Sequence, residues 1–140
     1  MKMQKEIVKK VIEYIEDNLE TEIDLERIAK NAGYSKFHLN RIFTEETGCT
    51  IHKYLQNRRL TVAAGKLVET DHPIAQIAYE AGYHSQQAFS LAFKQIYFYP
   101  PKVYRSMGVF TPKQNKISMC VQSFSGMHYE FAREREVFAA

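Results

Sequence analysis

The amino-acid sequence predicts an all-α protein of seven helices, in which two helix-turn-helix units of three helices each are joined by a long linker helix. Apolar residues follow helical spacing over most of the first 106 residues, without convincing strand alternation. The heptapeptide Ile28–Tyr34 is echoed at Ile77–Tyr83, and both copies read Ile-Ala-x-x-Ala-Gly-Tyr. A serine and a short amphipathic segment follow each copy, as expected where a glycine turn separates a small helix from a second helix with a polar outer face.

Signals at helix ends define the first unit. Apolar residues at intervals of three and four predict an amphipathic helix over about residues 3–19. Asp24 is a suitable N-cap for a short helix that ends at Gly33. Ser35 can cap the next helix, which stops at Gly48.

The long helix of the prediction begins after Thr50 and runs to about Val68. Gly65 inside it costs about 1 kcal/mol relative to alanine. The helix belongs to neither copy of the repeat, and we therefore interpret it as a linker. Its predicted buried positions are Ile51, Leu55, Val62, Ala63 and Leu67.

The second unit repeats the plan of the first. Pro73 fits the first position of a helix that ends at Gly82, and Ser85 can cap the helix after it. Tyr99-Pro100-Pro101 must end that helix, and Pro101 can open a last short helix through Arg105.

The tail after Gly108 shows a different pattern. Alternation over Lys116–Phe124 suggests extended structure, and Tyr129–Phe138 could be helical, but the pattern assigns neither. The predicted boundaries are 1–49 for the first unit, 50–69 for the linker helix, 70–106 for the second unit and 107–140 for a C-terminal extension.

Composition indicates a folded protein of the cytoplasm. Apolar residues make up 45% of the chain, yet no apolar run is long enough to span a membrane, so no membrane partner is expected. The N-terminus is charged throughout and lacks a signal-peptide core. Cys49 and Cys120 form no CxxC motif, which favours a reduced cytoplasmic setting over a disulfide.

The positive charge is concentrated where the repeats lie. The formal net charge is +3. Residues 31–106 hold nine basic and five acidic side chains, whereas residues 1–30 hold six basic and eight acidic. This distribution is compatible with phosphate binding, although mixed charges also cover ordinary solvated surfaces.

The second helix of the first repeat has two distinct faces. On a helical wheel Leu39, Ile42 and Phe43 form a core stripe, and the opposite face carries Phe37, Asn40, Arg41 and Thr44. Arginine can bind guanine O6 and N7, asparagine can pair with adenine, and an aromatic ring can touch a thymine methyl group. We therefore predict base contacts from Phe37, Asn40 and Arg41, with a wet surface as the alternative for the two polar residues.

The matching helix of the second repeat is built alike. Phe89, Ala92, Phe93 and Ile96 form its core stripe. The opposite face carries Gln87, Ser90, Leu91 and Lys94, with Gln86 at its flank near the N-terminus. Recognition helices usually enter the groove N-terminus first, which suits the glutamine pair. Apolar Leu91 could meet a thymine methyl group or mark a half with weaker sequence selection.

Phosphate contacts are expected from basic and phenolic side chains around these helices, together with helix N-terminal amides. About six to eight neutralised phosphates would give a log–log salt slope of about −5 to −7. The candidates are Lys36, Arg58, Arg59, Lys66, Tyr83, Lys94, Lys102, Tyr104 and Arg105.

These motifs resemble the DNA-binding domain of the AraC/XylS family of bacterial transcription regulators, in particular its small MarA/SoxS/Rob group. The resemblance covers about three quarters of the chain, from about Ile7 to Arg105. The motifs that carry it are Ala32–Phe43, Arg58–Thr61, Ile74–Ala78, Gly82–Gln87, Phe93-Lys94 and Pro101–Arg105.

The resemblance implies that both recognition helices enter successive major-groove segments of double-stranded DNA, about one turn apart. The resemblance also implies which positions meet DNA. In the MarA-like group these positions hold an aromatic residue, a glutamine and an arginine where this chain has Phe37, Asn40 and Arg41. The group has an arginine where this chain has Leu91. The resemblance further implies an activator that binds DNA as a monomer and contacts RNA polymerase. No N-terminal effector domain is visible, so regulation by abundance is expected.

Two alternatives stay open on the sequence alone, and a third, an enzyme, is not expected. The five histidines are scattered, and neither a zinc-ligand pattern nor a phosphate-binding glycine loop is present, so we expect no enzyme, no cofactor and no metal. A helical protein–protein adaptor would explain Phe37 and Leu91 as docking anchors. The chain could also be the DNA-binding fragment of a larger ligand-sensing regulator.

Overall fold

The computed structural model describes residues 2–118, which contain seven α-helices and no strand. The predicted fold class and helix number are confirmed. The segments 116–124 and 129–138, which the sequence pattern left unassigned, lie outside the described residues except for 116–118. The helices are α1 (Lys2–Asp17), α2 (Leu25–Ala32), α3 (Lys36–Thr47), α4 (Ile51–Glu69), α5 (Ile74–Glu80), α6 (Gln86–Tyr97) and α7 (Pro101–Met107).

Side-chain caps begin four of these helices, because the first amides of a helix lack partners within it. Asp24 accepts a hydrogen bond from the Arg27 amide at 2.9 Å. The Thr50 hydroxyl accepts one from the Lys53 amide at 3.1 Å. Ser35 and Ser85 cap α3 and α6 in the same way, as the sequence predicted.

The repeated heptapeptide folds into the same turn twice. Gly33 has φ +82° and Gly82 has φ +89°, in the left-handed region that favours glycine. The following tyrosine amide then donates to a carbonyl five residues back: Tyr34 to Ala29 and Tyr83 to Ala78, both at 3.1 Å. The sequence repeat therefore encodes a repeated hydrogen-bond pattern at the end of α2 and α5.

The chain divides into two compact units whose limits differ from the predicted ones. Within the described residues, the first unit comprises 2–18, 23–55 and 116–118. The second comprises 19–22 and 56–115. Helix α4 is therefore divided between the units rather than separate from both, because Ile51 and Leu55 belong to one core while Leu60 and Leu67 belong to the other.

The first unit has an aliphatic core with one aromatic contact. Phe43 of α3 and Tyr54 of α4 lie with ring centroids 5.7 Å apart. The other fully buried or nearly fully buried residues include Val8, Val11, Ile12, Ile15, Ile28, Leu39, Ile42 and Ile51.

The second unit has an aromatic core. Phe93 stacks on Tyr97 with ring centroids 4.6 Å apart, and Tyr104 of α7 meets both rings edge-on. Phe89 extends this cluster towards Tyr83. Burial of so many rings fixes the position of α6 relative to α7 and the second part of α4.

Residues 108–115, here called the C-terminal strap, pack onto the second unit although the sequence placed them in an extension. The Thr111 amide donates to the Tyr104 hydroxyl at 2.9 Å, and the Gln114 amide donates to the Thr61 hydroxyl at 3.0 Å. Arg58 donates to the Gln114 carbonyl at 2.7 Å. Gln114 is only 1% exposed, so the strap is an integral part of this unit.

Candidate nucleic-acid interface

The outer face of α3 presents a large ring and a guanidinium group. Leu39, Ile42 and Phe43 are buried as predicted, which turns Phe37 and Arg41 to the opposite side. Phe37 is 80% exposed, and the Lys36 ammonium lies 5.7 Å from its ring centroid. An exposed phenyl ring next to the Lys36 ammonium, with Arg41 one turn further along the helix, is well suited to a polyanionic partner that also offers apolar groups.

The outer face of α6 presents amides and an aliphatic side chain. Phe89 and Phe93 are fully buried, and the glutamines Gln86 and Gln87 at the start of the helix are exposed. Leu91 is 63% exposed. Lys94 is also exposed, whereas Ser90 is half-buried.

The two helices are equivalent at an offset of 50 residues. Both have 12 residues, both are capped by a serine, and both end at a left-handed residue, Gly48 with φ +83° and Phe98 with φ +69°. At this offset Phe37 corresponds to Gln87, and Arg41 corresponds to Leu91. The structure therefore places the predicted base-contacting residues on corresponding faces of corresponding helices, each within its own unit.

Asn40, which the sequence predicts to contact a base, has a hydrogen-bond partner within its own unit. Its Oδ1 atom accepts a hydrogen bond from the Ile51 amide at 3.0 Å, at the first residue of α4. Bidentate pairing with adenine needs this oxygen as an acceptor, so the hydrogen bond competes with base readout. The corresponding position of the second unit is Ser90, and the helix after it begins with Pro101, which has no amide to satisfy.

Two of the arginines predicted to bind phosphate are used inside the second unit. Arg59 donates to the carbonyls of Leu19 and Thr21 at 2.9 and 2.7 Å. Arg105 donates to the carbonyls of Leu67 and His72 at 2.9 and 2.7 Å. Each guanidinium therefore donates to backbone carbonyls at a helix end or in a loop that would otherwise lack a partner. These are the donors that the sequence assigned to phosphate.

Three further candidates also have internal partners. Lys66 lies 2.8 Å from both Glu20 and Glu80. Burial opposes its charge, but the hydrogen bonds to the two carboxylates outweigh this and raise the pKa of Lys66. Arg58 and Tyr104 hold the C-terminal strap, and Tyr104 is buried.

The remaining phosphate candidates are placed differently. Lys94 and Lys102 are exposed. Lys36 is partly exposed, and its ammonium lies 3.4 Å from Glu26, an ion pair of a kind that contributes little at a surface. Tyr83 is half-buried against Phe89, and burial raises the pKa of its phenol.

One exposed apolar residue on the outer face of α6 was missed at the sequence level. Ala88 lies on the surface, three positions before Leu91, and adds a second small apolar group to this face. The spacing of three residues between Ala88 and Leu91 could have indicated in the sequence that both lie on the same face of the helix. Ala88 corresponds to His38 of α3, whose ring meets that of Tyr34 edge-on at 5.3 Å.

Comparison with known proteins agrees with this geometry. Residues 28–107 match the family model described as "Helix-turn-helix domain". The chain is 41% identical over 95 residues to the multiple antibiotic resistance protein MarA of Escherichia coli, covering 68% of this chain and 75% of MarA. It is 38% identical over 100 residues to the regulatory protein SoxS of Salmonella typhimurium, covering 71% and 94%.

A solved structure gives the same result at the level of fold. The C-terminal domain of AraT, a response regulator from Geobacillus stearothermophilus, superposes with a TM-score of 0.71 at 29% identity, covering 79% of this chain and 93% of that domain. The fold and the sequence similarity are those of a DNA-binding transcription regulator. The chain belongs to the AraC-type helix-turn-helix family.

The described residues hold neither a membrane-spanning helix nor a cluster of metal ligands. Between residues 2 and 118, no helix combines the length and apolar character needed to cross a bilayer. Over the same range, no three His, Cys, Asp or Glu side chains are grouped as metal ligands.

Proposed function

We propose that this regulator binds double-stranded DNA as a monomer, with α3 and α6 each inserted into its own major-groove segment. The observation that carries the proposal is the paired exposure of Phe37 with Arg41 on α3 and of Gln87 with Leu91 on α6. These are equivalent positions at the 50-residue offset. A solvated surface has no need of equivalent faces on two repeats, whereas two groove segments do.

On α3, Arg41 contacts guanine and Phe37 contacts a thymine methyl group. Covering the exposed phenyl ring in a groove is worth about 1–2 kcal/mol, which gives Phe37 a reason to be apolar. Asn40 orders the start of α4 and contributes to DNA binding indirectly, by holding α3 against the start of α4.

On α6, Gln86 and Gln87 contact adenines through their side-chain amides. Both lie in the first turn of the helix, where a recognition helix approaches the base edges most closely. Half-buried Ser90 lies on the flank of this face.

Phosphate binding rests on a smaller set of side chains than the sequence suggested. Lys36, Lys94 and Lys102 supply it, together with the amides at the start of α3 and α6. With about three phosphates neutralised by these lysines, the log–log salt slope should be about −3, shallower than the −5 to −7 expected from the sequence.

The regulator acts in the cytoplasm and activates transcription by contacting RNA polymerase next to its DNA site. The similarity to two bacterial regulatory proteins over most of their length supports this assignment. Single-round transcription with purified polymerase, on templates with and without the site, tests it; equal transcript from both templates would exclude activation.

Selection from a random duplex library tests DNA recognition directly. A preferred site with two specified segments is expected. Arg41→Ala should weaken binding to that site by about 1–3 kcal/mol and relax selection at one base pair, whereas Lys94→Ala should weaken all duplexes alike and reduce the salt slope by about 1. Lys10→Ala, which removes an exposed charge from α1, is the matched control and should change neither.

Three outcomes would contradict the proposal. Selection without any preferred sequence would exclude specific recognition, and the absence of duplex binding would favour an adaptor. A two-to-one ratio of protein to a single site in sedimentation would exclude the monomer.

A further inference from the structure

Leu91 has surroundings that no other leucine of residues 2–118 shares. It is 63% exposed, while the remaining six leucines in this range are buried or half-buried. Its neighbours on the outer face of α6, one turn before and after, are exposed Gln87, Ala88, Lys94 and Gln95. The side chain thus projects from a polar face with only one methyl group, that of Ala88, beside it.

The corresponding position of α3 carries a side chain of opposite chemistry. At the 50-residue offset Leu91 corresponds to exposed Arg41. A guanidinium group supplies two donors that match guanine O6 and N7, whereas an isobutyl group supplies none. The two units are therefore built to read different base pairs from the same place on the helix.

We infer that α6 selects an A·T-rich segment, in which Leu91 and Ala88 contact the methyl group of thymine and the flanking glutamine pairs with adenine. This inference rests on the proposed DNA binding. Leu91 is the specificity-determining residue of this half of the site.

The major groove gives the physical reason. Guanine presents only acceptors at this edge, and cytosine presents a donor, so an aliphatic side chain over a G·C pair would desolvate these groups without replacing their hydrogen bonds. Thymine presents a methyl group. Contact between this methyl group and the Leu91 side chain removes apolar surface of both from water, which is favourable. Gln87 lies one turn before Leu91 and can pair with adenine N6 and N7 on a neighbouring pair.

The test uses the full chain and the duplex obtained by selection. Selection with Leu91→Arg first locates the segment bound by α6, because the preferred sequence should change only there. In that segment of the wild-type site, each thymine is then replaced in turn by deoxyuridine, which removes only the methyl group. One replacement should weaken wild-type binding about three- to ten-fold. The same replacement should have a clearly smaller effect on Leu91→Ala, because Ala88 is then the main remaining partner of the methyl group.

A charge-matched control separates specificity from attraction. Leu91→Arg should shift one base pair of its segment towards G·C, as Arg41 does in the other segment. Gln95→Arg adds the same charge one turn further along α6 and should strengthen binding to all duplexes alike, without changing the selected sequence. Thermal unfolding of each variant checks that these exposed positions leave the fold unchanged.

The outcomes distinguish the inference from the proposed function. A selected site with one specified segment and one unselective segment, or a deoxyuridine effect that persists unchanged in Leu91→Ala, would overturn the inference and leave DNA recognition by α3 intact. Failure to select any sequence would overturn the proposed function, and the inference with it.

Discussion

The guanidinium of Arg59 occupies the space next to Gly82, so that a Cβ atom built on Gly82 would lie 2.9 Å from Arg59 Nη1. The guanidinium cannot move away freely, because it donates to the carbonyls of Leu19 and Thr21. The glycine of the second turn is therefore required for two reasons, its positive φ and the neighbouring arginine. The equivalent Gly33 is required only for its φ, since no atom lies within 4 Å of a Cβ built there.

This difference predicts unequal effects of the same substitution. Gly33→Ala should lower the free energy of unfolding by about 1–2 kcal/mol, the cost of a left-handed conformation for alanine. Gly82→Ala should lower it by about 2–4 kcal/mol, because the Arg59 hydrogen bonds are also disturbed. Denaturant unfolding followed by circular dichroism measures both.

A double-mutant cycle identifies the cause. Combining Gly82→Ala with Arg59→Ala should cost less than the sum of the two single changes, whereas Gly33→Ala with Arg59→Ala should be additive. Equal effects of the two alanine substitutions, with additivity in both pairs, would refute the role assigned to Arg59.

Asn40 supports a prediction about helix initiation. Asn40→Ala leaves the part-buried Ile51 amide without its side-chain acceptor and should destabilise the protein by about 1 kcal/mol. Asn40→Asp keeps an acceptor and should retain most of the stability. Ser90→Ala is the matched control at the equivalent position and should cost under about 0.5 kcal/mol, since Pro101 has no amide to satisfy.

Amide hydrogen exchange provides the local readout. Protection of the Ile51 amide should fall in Asn40→Ala and persist in Asn40→Asp. Unchanged protection in both variants would mean that the hydrogen bond does not order the start of α4.

The features that the sequence predicted are local ones. Ser35, Ser85 and Asp24 cap amides only three residues away, and the repeated Gly-Tyr turns close within five residues. Core stripes such as Leu39, Ile42 and Phe43 follow from helix geometry alone. Most helix starts and outward faces were therefore readable without knowledge of the tertiary structure. Two helix limits differ, because Pro73 precedes the first residue of α5 and α7 continues past Arg105 to Met107.

The features that the sequence did not predict depend on distant backbone groups. Arg59 and Arg105 look like phosphate ligands because their residue type is basic, but their partners are carbonyls more than 30 positions away, which have no residue signature. The C-terminal strap lacks periodicity because its amides pair with single side chains, Thr61 and Tyr104. Such contacts become visible only when α4 and α7 are in place.

The strap predicts a specific effect of changing Thr61. Thr61→Val keeps the shape of the side chain but removes the acceptor of the buried Gln114 amide, and should destabilise the protein by about 1–3 kcal/mol. Thr61→Ser keeps the hydroxyl and should cost under about 1 kcal/mol for the lost methyl group.

Exchange protection of the Gln114 amide measures the contact itself. Protection should be lost in Thr61→Val and kept in Thr61→Ser. If both variants lose the same stability and keep protection, the strap would not depend on this hydrogen bond.

The aromatic core of the second unit predicts a loss of stability at alkaline pH. Burial raises the pKa of Tyr97 from its ordinary value of 10.0 to about 12, because the phenolate would be desolvated among Phe93, Tyr104 and α4. The folded pKa lies above the unfolded one. The contribution of the protonated Tyr97 phenol to the free energy of unfolding is therefore fully present below pH 10. It is lost as the pH rises towards 12, by about 2–3 kcal/mol in total.

The free energy of unfolding measured between pH 9 and 11.5 gives the test, with the pH range set by the two pKa values. The wild type should lose stability more steeply than Tyr97→Phe, which has no phenol to ionise at this position. Tyr79→Phe is the control, because Tyr79 is 77% exposed and its removal should leave the wild-type slope unchanged. Other buried phenols, such as Tyr104, are common to all three proteins, so the difference in slope isolates Tyr97. Parallel profiles for the wild type and Tyr97→Phe would show that the Tyr97 phenol ionises without cost in the folded protein.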